Sequence, residues 1–160
     1  MPIRVTARVE HKSPGKLKAA LRALHALGRG PRQVKVGFPA GKADGDVVAR
    51  ATFNEFGTRT IPERPFMRNA MRANWEKYRK AMEAAAREIV DVAKGGGSPA
   101  ASTRKVLGRL GALAQGDIQA EITSLSSPPN APSTIRQKGS SKPLIDSGEM
   151  RQKVTWKIDE

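Results

Sequence analysis

The residues from which a reaction centre would be built are few. His11 and His25 are the only imidazoles and there is no cysteine. His11 falls in an expected turn between a strand and a helix. His25 follows Leu24 on a leucine-rich helix, so both suit surface or boundary positions better than a general base. Without thiolates, a metal would need these two histidines plus carboxylates, and no HExxH-type or clustered spacing occurs. Glu55 and Glu63, like Glu83 and Glu88, sit among bases and read as solvated helix or loop charges. The stretches GRGPRQ and KGGGSPAAS lack the preceding strand, the glycine spacing and the Lys-Ser/Thr ending of a phosphate loop, and read as linkers. The serine-rich segments have no paired base. The expectation is a protein that is not an enzyme and uses no cofactor.

Charge is the strongest global signal. The 160 residues carry 29 Lys and Arg against 15 Asp and Glu, a formal +14. The excess is concentrated at the start: residues 1–43 hold ten bases and one acid, 44–100 ten and eight, 101–160 nine and six. Such a field attracts phosphate or an acidic partner, although a well-solvated surface is the plainer reading. No apolar run approaches the roughly 20 residues that span a bilayer, and MPIRVTARVE has no secretion-signal core, so folding in the cytoplasm and no membrane contact are expected. A chain of this length buries about 70% of its unfolded surface as one domain.

The elements that would position any site follow from periodicity. Ile3, Val5, Ala7 and Val9 alternate with polar residues, as in a strand with one face buried. Ser13 and Pro14 open a helix with Leu17, Leu21, Leu24 and Leu27 inward and Lys16, Lys18 and Arg22 outward. Val34, Val36 and Phe38 predict a second strand, and Asp46 can cap a short helix through Phe56 that ends at Gly57. From Phe66 to Lys94 there is no Gly or Pro. Met67, Met71, Trp75, Tyr78, Met82, Ala85, Ile89 and Val92 form one stripe of an expected single helix of about eight turns, a core or subunit contact. KGGGSPAAS then predicts a flexible hinge at 95–101. Val106 to Ile122 predict another helix, weakened by Gly108, Gly111 and Gly116. The Ser/Pro-rich loop at 126–143 holds one helical turn near Ser133–Lys138. Asp146 is the expected N-cap before a last strand carrying Val154, Trp156 and Ile158. The expected fold class is α+β: a small antiparallel or mixed sheet packed with long helices in a single domain over 1–160, with hinge and loop as arms that order on assembly.

The irregular segment FNEFGTRTIPERPFMRNAM places apolar Phe56, Ile61 and Phe66 beside Glu63 and Arg64, between two prolines. Pro62 and Pro65 stiffen it and make it a poor inner strand. Two readings are open: Ile61 and Phe66 fill pockets on a neighbour while Glu63 and Arg64 hydrogen-bond at the rim, or Phe66 starts the helix core with Pro65 as the helix-start residue. This segment resembles a signature of tailed-phage neck and tail-completion proteins, in which an E-F-G-T-like helix end passes through an I-P-x-R-P-F turn into a long helix. APSTIRQKGSSKPLIDSGEMRQKVTW is similar to the virion-morphogenesis pattern of a T-I-R-x-K-G element followed by P-L-I-D-[ST]-G and a final strand. The two cover Phe53–Met71 and Ala131–Trp156, about a quarter of the chain. The first is typical of shorter head-tail joining proteins and the second of tail-completion proteins.

The resemblance implies a virion protein, made in the host bacterial cytoplasm and located at the neck or top of the tail, that builds an oligomeric ring, often a hexamer. Its implied partners are copies of itself, a tail tube or tail terminator protein, a head connector or head-completion protein, and passing double-stranded DNA read without sequence specificity. Subunit contacts then fall on Phe56, Ile61, Pro62, Glu63, Arg64, Pro65 and Phe66. Arg4, Arg8, Lys16, Lys18 and Arg22 are the possible DNA-facing residues. Leu144, Ile145, Asp146, Ser147 and Gly148 form the C-terminal motif, unless Leu144 and Ile145 pack at home with Asp146 and Ser147 as caps. The alternative is a basic DNA-binding protein that uses the Lys/Arg-rich first helix and strands. A basic enzyme with an unrecognised site is a third reading, against which the two histidines weigh.

Overall fold

A computed structural model describes residues 30–159 together with Gly15, Lys18, Leu21 and His25, which are helical and exposed. The expected strand Ile3–Val9 and most of the helix after it lie outside the described residues. The elements are β1 (Gln33–Gly37), α1 (Gly45–Phe56), α2 (Phe66–Ala73), α3 (Trp75–Lys94), α4 (Pro99–Ser124), α5 (Pro132–Lys138), α6 (Glu149–Lys153) and β2 (Thr155–Asp159). The class is α+β with long helices over a two-stranded antiparallel sheet.

Helix α4 is the spine, in contact with α2, α3, α6 and both strands. It starts where the sequence offers a cap: Pro99 opens the helix and the Ser98 hydroxyl accepts from the Ala101 N–H at 3.3 Å. Its glycines do not break it, because at one of them the sheet needs the room. A Cβ on Gly111 would lie 2.7 Å from Trp156 Cγ and 2.9 Å from Val34 Cγ2, whereas one on Gly116 would meet nothing within 4 Å. Gly111 lets the indole lie against helix backbone, and the apolar area this buries offsets the roughly 1 kcal/mol helix penalty of glycine.

Strands β1 and β2 pair with Gln33 opposite Asp159, Lys35 opposite Lys157 and Val36 opposite Trp156. Alternation therefore puts Val34, Val36, Trp156 and Ile158 on the α4 side and both lysines on the other. Like charges opposed in a sheet repel. Asp159 relieves this, 2.5 Å from Lys35.

The rod expected from Phe66 to Lys94 is two helices, α2 and α3, broken at Asn74 (φ −106°, ψ 11°). The Asn74 side chain donates to the Ala70 carbonyl at 2.9 Å, which its own backbone N–H also reaches at 3.2 Å. This is the local competition with helix bonding that asparagine brings. Beyond the break the predicted stripe divides. Ala85 and Ile89 are buried, but Trp75 and Met82 are 60% and 45% exposed. Tyr78 is half-buried and donates to Asp117 at 2.7 Å, with burial and then that carboxylate pushing its phenol pKa up.

Residues 95–101, expected as a flexible hinge, are a hydrogen-bonded turn followed by the first turn of α4. Gly95, Gly96 and Gly97 N–H groups donate to the Asp91, Ala93 and Val92 carbonyls at 3.0, 3.2 and 2.9 Å. These bonds satisfy the orphan carbonyls at the end of α3.

The main core holds Val47, Ala51, Phe66, Ala70, Ile118, Ile122, Leu125, Leu144, Met150 and Val154. A second cluster of Ala85, Ile89 and Val106, with Leu110, joins α3 to α4. Among the described residues no helix is long and apolar enough to cross a membrane.

Candidate functional site: the elbow and its braces

Helix α1 buries Val47, Ala51 and Glu55 at four-residue spacing, which leaves Phe53 and Phe56 outward, 47% and 65% exposed. It stops at Gly57, which takes φ +71°; a Cβ there would stand 3.1 Å from Glu63 N and 3.2 Å from Ile61 O. Only glycine fits so tight a left-handed turn without strain. Thr58 then organises the loop. Its N–H donates to the Ile61 carbonyl at 2.8 Å, and its hydroxyl accepts from the Thr60 and Ile61 N–H groups at 3.2 and 3.0 Å. Arg64 N–H returns to the Asn54 carbonyl at 2.7 Å. Pro65 (φ −78°, ψ 62°) centres an inverse γ-turn closed by Phe66 N–H to Arg64 O at 2.7 Å.

The first brace is Glu55, 1% exposed. Helix α2 has no side-chain cap of its own. Glu55 supplies one from α1, its carboxylate accepting from the Met67 and Arg68 N–H groups at 2.9 and 3.1 Å and from Arg68 Nε at 3.0 Å. An anionic acceptor at a helix start satisfies orphan donors and meets the positive end of the helix dipole. Arg68 also reaches Glu63 Oε1 and the Glu55 carbonyl, each at 2.5 Å, and stacks 5.3 Å from the centroid of Phe56. The hydrogen bonds to Glu55 and then Glu63 raise the Arg68 pKa, fixing its charge. The expectation of Glu55 as a solvated charge is thus corrected: the start of α2 needed a cap that its own sequence lacks.

The second brace is Arg64, expected at an exposed rim and found 5% exposed. Its Nε donates to Pro128 O at 2.9 Å, Nη1 to Asn54 Oδ1 at 3.2 Å, and Nη2 to Pro129 O at 3.0 Å and Asn130 Oδ1 at 3.4 Å. The chain turns Arg64 inward because the 128–130 carbonyls need donors and the guanidinium has several. Phe66, expected as an anchor into a neighbour, is fully buried in the chain's own core, so Pro65 launches a core helix. Pro62 and Glu63 stay exposed, Ile61 is half-buried, and Pro65 is half-buried behind them.

The C-terminal motif packs against this elbow. Leu144 is buried in the main core and Ile145 rests on it. Ser147 accepts from Glu149 N–H at 3.3 Å, while Gly148, not Asp146, holds the cap position of α6 with φ +81°. Asp146 and Ser147 are exposed. Arg50 pairs with Glu149 at 2.5 Å, tying α1 to α6. Loop 126–143 contains α5, as the sequence predicts, and is pinned by Arg64, by Asn130 Nδ2 to Lys142 O at 3.3 Å, and by Lys138 Nζ to Pro143 O at 3.2 Å. Between loop and elbow lies an open groove of about 600 Å³ that reaches Arg64 and Lys138.

The two stretches singled out in the sequence therefore meet in one surface. Of the basic residues proposed to face DNA, Lys18 is exposed on a helix, and Arg4, Arg8, Lys16 and Arg22 lie outside the described residues. Among the described residues no group of His, Asp and Glu is placed to hold a metal. Sequence reasoning missed Glu55, Arg68 and Asn130. The readable signal was a helix start, Pro65-Phe66, without Ser, Thr, Asp or Asn before it. Comparison of the chain with protein-family models, curated proteins and solved structures finds no match.

Proposed function

We propose that this chain is a structural subunit of the neck of a tailed bacteriophage, a tail-completion or head-tail joining protein that assembles with copies of itself into a ring and performs no catalysis. The observation that supports this reading is the meeting of both resembling stretches in one braced surface, with Phe53, Phe56, Pro62 and Glu63 outward. Large exposed aromatics beside a polar rim are the composition of an interface centre. Arg64 and Phe66 shape the elbow from inside, and Phe56 and Ile61 make the contact. The implied location is the virion, with the tail tube or terminator protein and the head connector as neighbours and DNA passing through without sequence readout. The hexamer is the stoichiometry the resemblance implies.

Phe56→Ala combined with Ile61→Ala tests the reading. Sedimentation of the double variant should show subunits where wild type shows rings, with a melting temperature within a few degrees of wild type. A monomeric wild type at high concentration, or a variant that assembles normally, overturns it.

A second reading, a dedicated DNA-binding protein, is favoured by the outward Lys35 and Lys157 and the net charge of +14. It requires tight duplex binding with a steep log-log salt slope, whereas a neck subunit binds duplex weakly.

A further inference from the structure

The groove between elbow and loop has an unusual charge balance. Arg64 and Lys138 line it, and no Asp or Glu does. Among the described residues, the Arg64 guanidinium donates to neutral oxygens, and Lys138 Nζ donates to the Lys142 and Pro143 carbonyls at 3.4 and 3.2 Å. Burial lowers the pKa of both; on Lys138 nearby Asp146 opposes this, and Arg64 adds a smaller lowering. Arg64 is buried and Lys138 half-buried, and among the described residues neither has a carboxylate within ion-pair distance, Asp146 acting on Lys138 only from farther off; such cations cost free energy that an entering anion offsets. The rest of the wall is mixed, with Asn54, Asn130, Thr60 and Thr134 among apolar residues that include Ile61 and Pro62. A concave slot of this composition suits one carboxylate flanked by apolar groups. A duplex, whose phosphates lie on a convex backbone, does not enter such a slot.

We propose that this groove is a docking slot for an acidic segment of a partner protein, in which Lys138 takes a Glu or Asp carboxylate and Ile61 and Pro62 pack against the apolar residue beside it. Arg64 contributes charge from behind while it holds the loop. The slot lies on the surface assigned to neck contacts but needs no ring, so the two ideas fail separately.

The test is a titration of the full chain, followed by amide chemical shifts, with three probes: a short capped peptide bearing one glutamate between apolar residues, its glutamine twin, and inorganic phosphate. The glutamate peptide should move the Thr60, Ile61, Thr134 and Lys138 amides and bind roughly tenfold tighter than the twin, one charge-assisted bond's worth. Lys138→Gln should abolish that preference and Lys138→Arg restore it, with both variants shown to be folded by wild-type amide shifts away from residues 138–143. Equal binding of the twins, phosphate occupying the slot as tightly as the peptide, unmoved slot amides, or a folded Lys138→Gln that keeps the preference would each overturn the proposal.

Discussion

At the elbow, the buried side chains of Glu55 and Arg64 satisfy backbone groups of two separate segments, the start of α2 and residues 128–129; along the α3–α4 hairpin, Ala85, Ile89 and Val106 make a thin apolar contact with ion pairs outside it. Those pairs, Arg109 with Glu88 and Lys94 with Asp91 toward the turn, and Arg79 with Glu76 and Glu83 nearer the start of α3, join largely exposed side chains. The contrast separates two uses of charge. A carboxylate with a side chain 2% exposed and three N–H donors dictates backbone shape, whereas an exposed pair is worth little because water competes for both partners. The elbow is thus held to one conformation by bonds that nothing else replaces. The hairpin is held by modest burial and belongs to the softer part of the molecule.

The sharpest way to break this comparison is to remove one carboxylate from each region. Glu55→Ala leaves two N–H groups of α2 uncapped and Arg68 without its buried partner, and should cost about 3 kcal/mol in urea unfolding. Glu88→Ala should cost about 0.5 kcal/mol or less. Equal losses would remove the distinction.

Glycines of α4 sharpen it next. Gly111→Ala drives a Cβ into Trp156 and Val34 and should lose about 2 kcal/mol. Gly116→Ala, in open space, should gain about 1 kcal/mol. If both gained, α4 and the sheet would not be in the close contact described.

The smallest effect is at acid pH. Asp44, beside Lys153, and Asp159, beside Lys35, are held below the usual carboxylate range, chiefly by those hydrogen bonds. A depressed folded pKa gives stability that is present above about pH 4 and lost as the pH falls through the folded value. Asp44 is exposed and Asp159 only partly buried, so water screens both pairs, and the wild-type melting temperature should fall only slightly more than that of an Asp44→Asn, Asp159→Asn variant between pH 6 and pH 2, with no difference in slope between pH 6 and 8. A divergence above pH 6 would contradict the assignment.

Much of the architecture was legible because it follows from periodicity. The alternation at Val34 and Val36 and at Trp156 and Ile158 gave both strands, and Gly57 marked the end of α1. The turn near Ser133–Lys138 was also readable. What escaped depends on contacts between residues far apart in the chain. Glu55 has an ordinary surface-helix pattern around it, and only the uncapped start of α2, with Arg68 thirteen residues further along the chain, gives it a partner. Arg64 looks like any charged loop residue until the 128–130 carbonyls arrive from 64–66 positions away. Asn74 interrupts a faultless apolar stripe through a side-chain bond that periodicity ignores. Three glycines read as slack, yet the same freedom closes a tight turn between antiparallel helices.

Amide hydrogen exchange on the free chain tests the central claim, that the elbow is fixed by its internal braces before it meets anything. The N–H groups of Arg64, Phe66, Met67 and Arg68 should exchange at rates near those of Ile118 and Ile122, and more slowly than those of Gly95–Gly97. Exchange of the four elbow amides as fast as an unstructured peptide, slowed only on assembly, would contradict it.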